Sequence, residues 1–168
     1  GTAITLILVL LTAYPLSKDS SRLTGRTVYS WYFFITMLIS GGMIPLYLLV
    51  NSLGMRNTIW SLVLPGALPA YYVVLMLNFF RQIPIELEEA ATIDGAGQLR
   101  TLLQVYIPVS LPSIATITLF SLVGHWNNWF DGTIYISQPD KLPLMTFLRN
   151  AVSNLDMSEM TSTDMELM

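Results

Sequence analysis

The chain has 168 residues, of which 53% are hydrophobic and only 11% are charged, and its formal net charge is −3. Soluble domains carry about 25% charged residues, so this composition, with a mean hydropathy of +0.57, predicts a protein of the lipid bilayer. The acidic balance argues against nucleic acid as a partner. With no cysteine and one histidine, the chain offers neither a disulfide framework nor a thiolate or histidine-rich metal site.

Four uncharged runs predict membrane-spanning helices, at about 1–17, 28–50, 58–80 and 112–131. The first run opens at Gly1 with no basic region before it and no cleavage site after it, so it does not have the pattern of a signal peptide. We expect it to be a membrane helix of a longer protein, cut within that helix. In the second run, Gly41, Gly42 and Pro45 predict close packing and a kink, with substrate contact as the alternative.

Residues 81–111 form a charged segment between uncharged runs. Pro84 suits a first helical turn, and three glutamates follow it near the positive end of the helix dipole. Gly95 or Gly97 is expected to end the helix as a C-terminal cap. The predicted helix has about three turns, which is too short for stability alone in water, so neighbours or a partner must hold it.

Two further amphipathic helices are predicted. The first has apolar residues at helical spacing, namely Leu99, Leu102, Leu103 and Tyr106. The second lies in the polar segment 137–168, beyond a core of residues 1–136, and its apolar residues are Leu142, Leu144, Phe147, Leu148 and Val152. We expect residues 137–168 to lead toward a further span that lies outside this chain.

Basic residues predict which side of the membrane each loop occupies. Loop 18–26 and segment 81–111 carry Lys18, Arg22, Arg26, Arg81 and Arg100, whereas the opposite loops carry Arg56, Lys141 and Arg149. The positive-inside rule therefore predicts that segment 81–111 is cytoplasmic and that residues 131–168 are external.

Three simpler interpretations of the acidic segment are a solvated face, a nucleotide loop and a cation site. A solvated face is the usual role of a charge run. A nucleotide loop lacks both a preceding strand and the G-x-G-x-x-G spacing. A cation site lacks the spacing of a calcium loop.

The same segment carries a long spaced motif. Glu89-Ala90-Ala91 is followed by three residues, Gly95, nine residues and Val105-Tyr106-Ile107-Pro108. This pattern resembles the EAA loop of ABC importer permeases, whose form is EAA, three residues, G, nine residues, I-x-L-P. Only Val105 and Ile107 depart from it, by exchange of aliphatic type. Flanking residues, including Trp126-Asn127, are similar to the carbohydrate-uptake branch of these binding-protein-dependent inner membrane components.

The resemblance implies an all-α polytopic helix bundle like that of a type I importer, with about four of six spans present in this chain. It implies a transport subunit of the bacterial plasma (inner) membrane that is not itself an enzyme and needs no cofactor. The implied partners are cytoplasmic ABC ATPase subunits, a second permease subunit, an external substrate-binding protein and the lipid bilayer. The implied ATPase-coupling residues are Glu88, Glu89, Ala90, Ala91, Asp94, Gly95 and Pro108.

The implied substrate is a sugar or oligosaccharide, and a substrate path is predicted at Trp126, Asn127, Asn128 and Trp129. Aromatic faces and amides suit sugar rings and hydroxyls. An interfacial aromatic belt with helix–helix hydrogen bonds is the alternative role for these four residues. Alternatives for the whole chain are an importer of another small solute, such as glycerol phosphate, an amino acid or a peptide, and a channel or secondary transporter outside the ABC class. An intramembrane enzyme would need a nucleophile–base pair or metal ligands in the spans, and neither is visible.

Overall fold

The computed structural model describes residues 1–18 and 25–154, and every regular element in those ranges is helical. Arg22 and residues 155–168, which the sequence assigns to a basic loop and to the external segment, lie outside the described residues. The helices are α1 (Thr2–Ser17), α2 (Arg26–Leu38), α3 (Met43–Ser52), α4 (Trp60–Val63), α5 (Ala70–Gln82), α6 (Ile85–Ile93), α7 (Gln98–Val109), α8 (Leu111–Asn127), α9 (Phe130–Tyr135) and α10 (144–154). The all-α prediction is confirmed.

The chain divides into two compact units. The first unit comprises Gly1–Gly42 and Pro65–Leu122, and the second comprises Met43–Leu64 and the part of the chain from Val123 onward. The acidic segment belongs to the first unit.

In the first unit, α5 packs against both α1 and α2. Its inward face repeats at helical spacing, with Val73, Met76 and Phe80 all at most 1% exposed. Val9 and Ala13, one turn apart on α1, are equally buried. Because lipid tails are as apolar as these side chains, close packing rather than water exclusion stabilises such contacts in a bilayer.

Two of the uncharged runs are broken where the sequence predicts continuous spans. Run 58–80 contains only α4 and α5, because Pro65 and Pro69 lack the backbone N–H that a continuing helix would need. Run 28–50 ends its first helix at Leu38, and Gly42 has a left-handed φ of +82°. The extended Ile39 and the left-handed Gly42 therefore interrupt the helix where the sequence predicts a kink.

By length and apolar composition, no single helix in the described ranges would cross a bilayer by itself. Two pairs of consecutive helices, α2 with α3 and α7 with α8, are long and apolar enough to cross a bilayer when each pair is taken together, with a short break between its helices.

Helix α7 confirms the predicted amphipathic helix but splits its apolar face. Leu102 and Tyr106 are 3% and 4% exposed, whereas Leu99 and Leu103 are 66% and 62% exposed. Residues 102–106 form a π-helical stretch, and α7 then meets α8 at an angle of 83°. One edge of α7 therefore anchors the acidic segment while the other is open to a partner or to lipid.

The second unit is closed by a corner around Asn57. The Asn57 N–H donates to the carbonyl of Tyr135 at 3.0 Å, and its side-chain oxygen accepts from the Ser137 N–H at 2.7 Å. Tyr135 also stacks on Tyr47 with ring centroids 6.2 Å apart. A helix is present as α10 where the sequence predicts the amphipathic helix of the polar segment. Leu144, Phe147, Leu148 and Val152 are exposed on it, whereas Leu142 lies before it and is half-buried.

Candidate functional site

Helix α6 begins and ends where its sequence predicts. Pro84 is the capping residue before Ile85, and Asp94 is the capping residue after Ile93. Gly95 follows with φ +74°, and the N–H groups of Gly95 and Ala96 donate to the carbonyls of Thr92 and Ala91 at 3.0 and 2.9 Å. These two bonds and the left-handed glycine form a Schellman motif, which sets the direction of the chain leaving α6.

Glu88 points into the first unit rather than toward its surface. Its carboxylate lies 2.6 Å from the Lys18 ammonium, and the two side chains are only 6% and 9% exposed. The Tyr106 hydroxyl donates to the same carboxylate at 2.8 Å and accepts from Lys18 at 3.2 Å. A buried carboxylate is tolerated only when it is paired and hydrogen-bonded, and this site supplies both conditions.

Aromatic rings enclose the ammonium of this ion pair. Lys18 Nζ lies 4.1 Å and 4.3 Å from the ring centroids of Tyr14 and Tyr106, which is within cation–π range. Phe80 packs edge-on against Tyr106 at 5.3 Å, and the Tyr14 hydroxyl donates to Gln98 at 3.0 Å. We refer to Tyr14, Lys18, Glu88 and Tyr106 as the buried latch.

The latch ties three helices together. Lys18 follows α1, Glu88 lies on α6 and Tyr106 lies on α7, so a displacement of α6 must move the end of α1 or break a buried ion pair. Sequence reasoning did not single out Lys18 or Tyr106 for this role. A lysine directly after an uncharged run is only a weak signal of a buried ion pair. The residues around Lys18 do not indicate that its partner is a carboxylate 70 residues further along the chain.

The opposite face of α6 is open. Glu89, Ala90 and Asp94 are exposed, Ala91 is half-buried, and Ile93 is 86% exposed. Ile93 has the highest exposed fraction of the large apolar side chains in the described residues. Ile93 was not singled out from the sequence, although an isoleucine beside the Asp94-Gly95 turn was a signal for it.

A cavity of 260 Å³ lies along this face. Its lining combines Leu87 and Ala91 of α6 with Arg100 and Gln104 of α7, and Arg100 donates to Gln104 at 2.8 Å. This surface is shallow and partly apolar, with the acidic Asp94 and the basic Arg100 beside it. Pro108, the last predicted coupling residue, is exposed in the final turn of α7.

The four predicted substrate-path residues follow one another at the end of α8. Asn128 donates to Asp131 at 2.6 Å, and the Trp129 carbonyl accepts from Thr146 at 2.9 Å. The Arg149 guanidinium lies 5.0 Å from the Trp129 ring centroid. Asn128 and Trp129 thus hold the corner before α9, while Trp126 is 62% exposed and Asn127 is exposed.

Residues 3–165 match the family model described as "Binding-protein-dependent transport system inner membrane component". The chain is 42% identical over 167 residues to a polygalacturonan/rhamnogalacturonan transport system permease protein, YtcP of Bacillus subtilis, covering 96% of this chain and 58% of that protein. It is 40% identical over 168 residues to the protein LplC of the same organism, covering 100% of this chain and 55% of that protein.

A crystal structure of a bacterial ABC transporter involved in import of the acidic polysaccharide alginate matches with a TM-score of 0.87. The identity is 35%, and the match covers 91% of this chain and 54% of that chain. The chain therefore spans about half the length of the relatives that it matches.

Proposed function

The chain belongs to the family of binding-protein-dependent transport system inner membrane components, and on that basis we propose that the full-length protein is the permease subunit of an ATP-driven importer of oligosaccharides. The family is one of bacterial inner-membrane transport components, not enzymes, which agrees with the resemblance seen in the sequence. The observation that carries the proposal is the two-sided α6. One side is locked inside the first unit, and the other presents Ile93 to solvent.

We propose that the exposed face of α6 is the contact for a cytoplasmic ATPase subunit. Glu89, Ala90, Ala91 and Asp94 would surround the Ile93 side chain at that contact. Gly95 and its Schellman motif would set the exit of the chain toward α7, and Pro108 would set the turn from α7 into α8. Small side chains such as alanine let a partner backbone approach closely, and a carboxylate can receive a bidentate arginine.

Glu88 would serve this contact from the inside. Its carboxylate is buried in the latch, so we propose that it positions α6 and passes the movement of α6 to α1 and α7. ATP-driven closure of the ATPase would thereby shift helices of the permease and alternate access to the solute path. A second permease subunit and an external substrate-binding protein would complete the assembly.

A cysteine crosslink tests the ATPase contact. These 168 residues contain no cysteine, and any cysteine elsewhere in the full-length protein would first be replaced by serine. In the full-length protein, Ile93→Cys would be paired with a cysteine in the surface cleft of the candidate ATPase. We expect an oxidative crosslink whose yield changes when ATP is added. Leu119→Cys is the matched control, since Leu119 is also exposed, at 57%, but lies within α8.

Two results would count against the coupling role. One is no crosslink at Ile93→Cys with both proteins folded and present. The other is equal yield at Ile93→Cys and Leu119→Cys.

The substrate class is supported by the names of two relatives, which refer to the transport of polygalacturonan/rhamnogalacturonan and of alginate. The second name describes an acidic polysaccharide. In this chain, the exposed Trp126 and the Trp129–Arg149 pair combine an aromatic face with a guanidinium. Aromatic faces suit sugar rings, and a guanidinium suits a carboxylate.

Uptake measurements test the substrate. In a strain that expresses the complete transporter, we expect uptake of a labelled oligogalacturonide to exceed uptake of a neutral oligosaccharide of equal length. Arg149→Gln should lower only the acidic uptake. Equal uptake of the two sugars by the unmodified protein would remove the preference for acidic substrates and leave the ATPase contact untouched.

A further inference from the structure

Two cavities meet where α2 packs against α5, and Arg81 lines both of them. The first has a volume of 320 Å³ and a polar lining that includes Lys18, Arg26, Arg81 and Glu88. The second has a volume of 310 Å³ and a mostly apolar lining of Ser30, Trp31, Phe34, Val74, Leu77, Asn78 and Arg81. Because Arg81 lines both cavities, we refer to the two together as one depression, with a charged end and an apolar end.

Among the residues that the structure describes, those lining the charged end carry an excess of positive charge. Glu88 and Lys18 neutralise each other in the latch, which leaves Arg26 and Arg81. Across residues 1–18 and 25–154, no carboxylate forms an ion pair with either arginine. Partial desolvation lowers the pKa of Arg81, and the nearby charge of Arg26 lowers it further. An anion between the two guanidinium groups would relieve this repulsion.

Two buried donors face this region without an acceptor in the described part of the chain. They are Nε of Arg26 and Oγ of Ser30. The two residues are four apart on α2 and therefore lie on the same face of that helix. The other end of the Arg26 side chain is held by its Nη1 bond to the Lys18 carbonyl at 2.8 Å. Buried donors are rarely left unsatisfied, so the arrangement indicates a ligand with several acceptor oxygens.

The apolar end lies at the depth of the uncharged runs. Arg26 directly precedes the uncharged residues 27–55, and Arg81 directly follows the uncharged residues 57–80. The two arginines thus mark one edge of the membrane, and the groove lined by Phe34 and Val74 runs from that edge along α2 and α5. A ligand that fits both ends has an anionic head and a hydrocarbon tail.

We propose that this depression binds one anionic phospholipid, whose phosphate oxygens accept hydrogen bonds from Arg26, Ser30 and Arg81. One acyl chain lies in the groove between α2 and α5. A free phosphate would leave the groove empty, and an uncharged lipid would leave the two arginines unneutralised. The cytoplasmic side predicted for Arg26 and Arg81 also faces the leaflet that attracts basic residues to anionic headgroups.

The test measures lipid retention by the purified full-length protein, so it does not depend on transport. After exposure to phosphatidylglycerol in detergent and removal of excess lipid, native mass spectrometry counts the lipids that remain bound. We expect one retained phosphatidylglycerol and little phosphatidylcholine of the same chain length. Arg26→Gln and Arg81→Gln should each lower retention about five-fold, from about 1 kcal/mol per basic residue at an anionic membrane surface.

Arg100→Gln is the matched control. It removes the same charge from the same predicted side of the membrane, at an exposed residue of α7 outside both cavities, and it should retain lipid as the unmodified protein does. Val74→Trp should reduce retention by filling the groove without changing charge. An excess of inorganic phosphate should not displace the lipid.

Three results would overturn the proposal. They are an unmodified protein that retains no phosphatidylglycerol, an equal loss in Arg100→Gln and Arg26→Gln, and complete displacement by inorganic phosphate. The first result is measured on the unmodified protein, so the test stands even if a variant fails to fold. The unmodified protein would also retain no lipid if another part of the full-length chain fills the groove, and the proposal would then be wrong.

Discussion

Replacing Lys18 with methionine tests the buried latch directly, because methionine keeps most of the side-chain length and removes the charge. In Lys18→Met the Glu88 carboxylate, 6% exposed and 2.6 Å from the lost ammonium, keeps its bond from Tyr106 but loses its ion-pair partner. Removing one partner of a buried ion pair costs about 3–5 kcal/mol. We therefore expect the free energy of unfolding to fall by about that amount.

The reverse replacement should cost less. In Glu88→Gln the amide oxygen can still accept from Tyr106, and the Lys18 ammonium still lies over two aromatic rings, at 4.1 and 4.3 Å. Each such cation–π contact is worth about 0.5–2 kcal/mol, so we expect a loss of about 1–3 kcal/mol. The double variant should be more stable than Lys18→Met, because the buried carboxylate is then neutral as well.

Unfolding of the full-length protein in nanodiscs, followed by tryptophan fluorescence in denaturant, measures these differences. Co-purification with the ATPase, measured under native conditions, reports whether α6 is still held in place. A Lys18→Met variant within about 1 kcal/mol of the unmodified protein would refute the reasoning, since it would mean that the ion pair is not desolvated. Strict additivity in the double variant would refute it as well.

Two glycine substitutions have matched controls within the chain. Gly95→Ala should cost about 1–2 kcal/mol and weaken ATPase association, because φ is +74° with open space around the site. Gly97→Ala, equally open but with φ −74°, should be neutral in the same unfolding and pull-down measurements, and equal losses would contradict the strain argument. Gly132→Ala should cost about 1–3 kcal/mol, because the new methyl would overlap the buried Thr146 hydroxyl. Gly124→Ala, with nothing within 4 Å, should be neutral or stabilising in thermal unfolding, and a loss there equal to that of Gly132→Ala would contradict the packing argument.

Features set by neighbouring residues were predictable from the sequence. Pro84 and Gly95 bound α6 because proline suits a helix start and glycine tolerates the left-handed exit of a Schellman motif. The uncharged run after Pro112 became α8 with its predicted helical character. The spaced motif that begins at Glu89 pointed to the family that the comparisons then showed.

Features that depend on where helices break were predicted less well. The uniform apolar composition of run 58–80 predicts one span, whereas the structure divides the run into α4 and α5 with Pro65 and Pro69 between them. Apolar composition indicates only that a segment prefers lipid to water. Whether the helix continues depends on the backbone N–H donors, which proline lacks. Run 28–50 is interrupted after Leu38 by the extended Ile39 and by Gly42, whose left-handed φ of +82° other residues resist.

The sequence by itself was enough to predict that the chain belongs to a membrane protein, where a short acidic helix begins and ends, and to which family the chain belongs. Only the tertiary structure decided that Glu88 faces inward to Lys18 while Ile93 faces outward, and that Arg26 and Arg81 share one cavity. The reason is physical. Helix caps and turns depend on residues a few positions apart, whereas an ion pair across 70 residues depends on how separate helices pack.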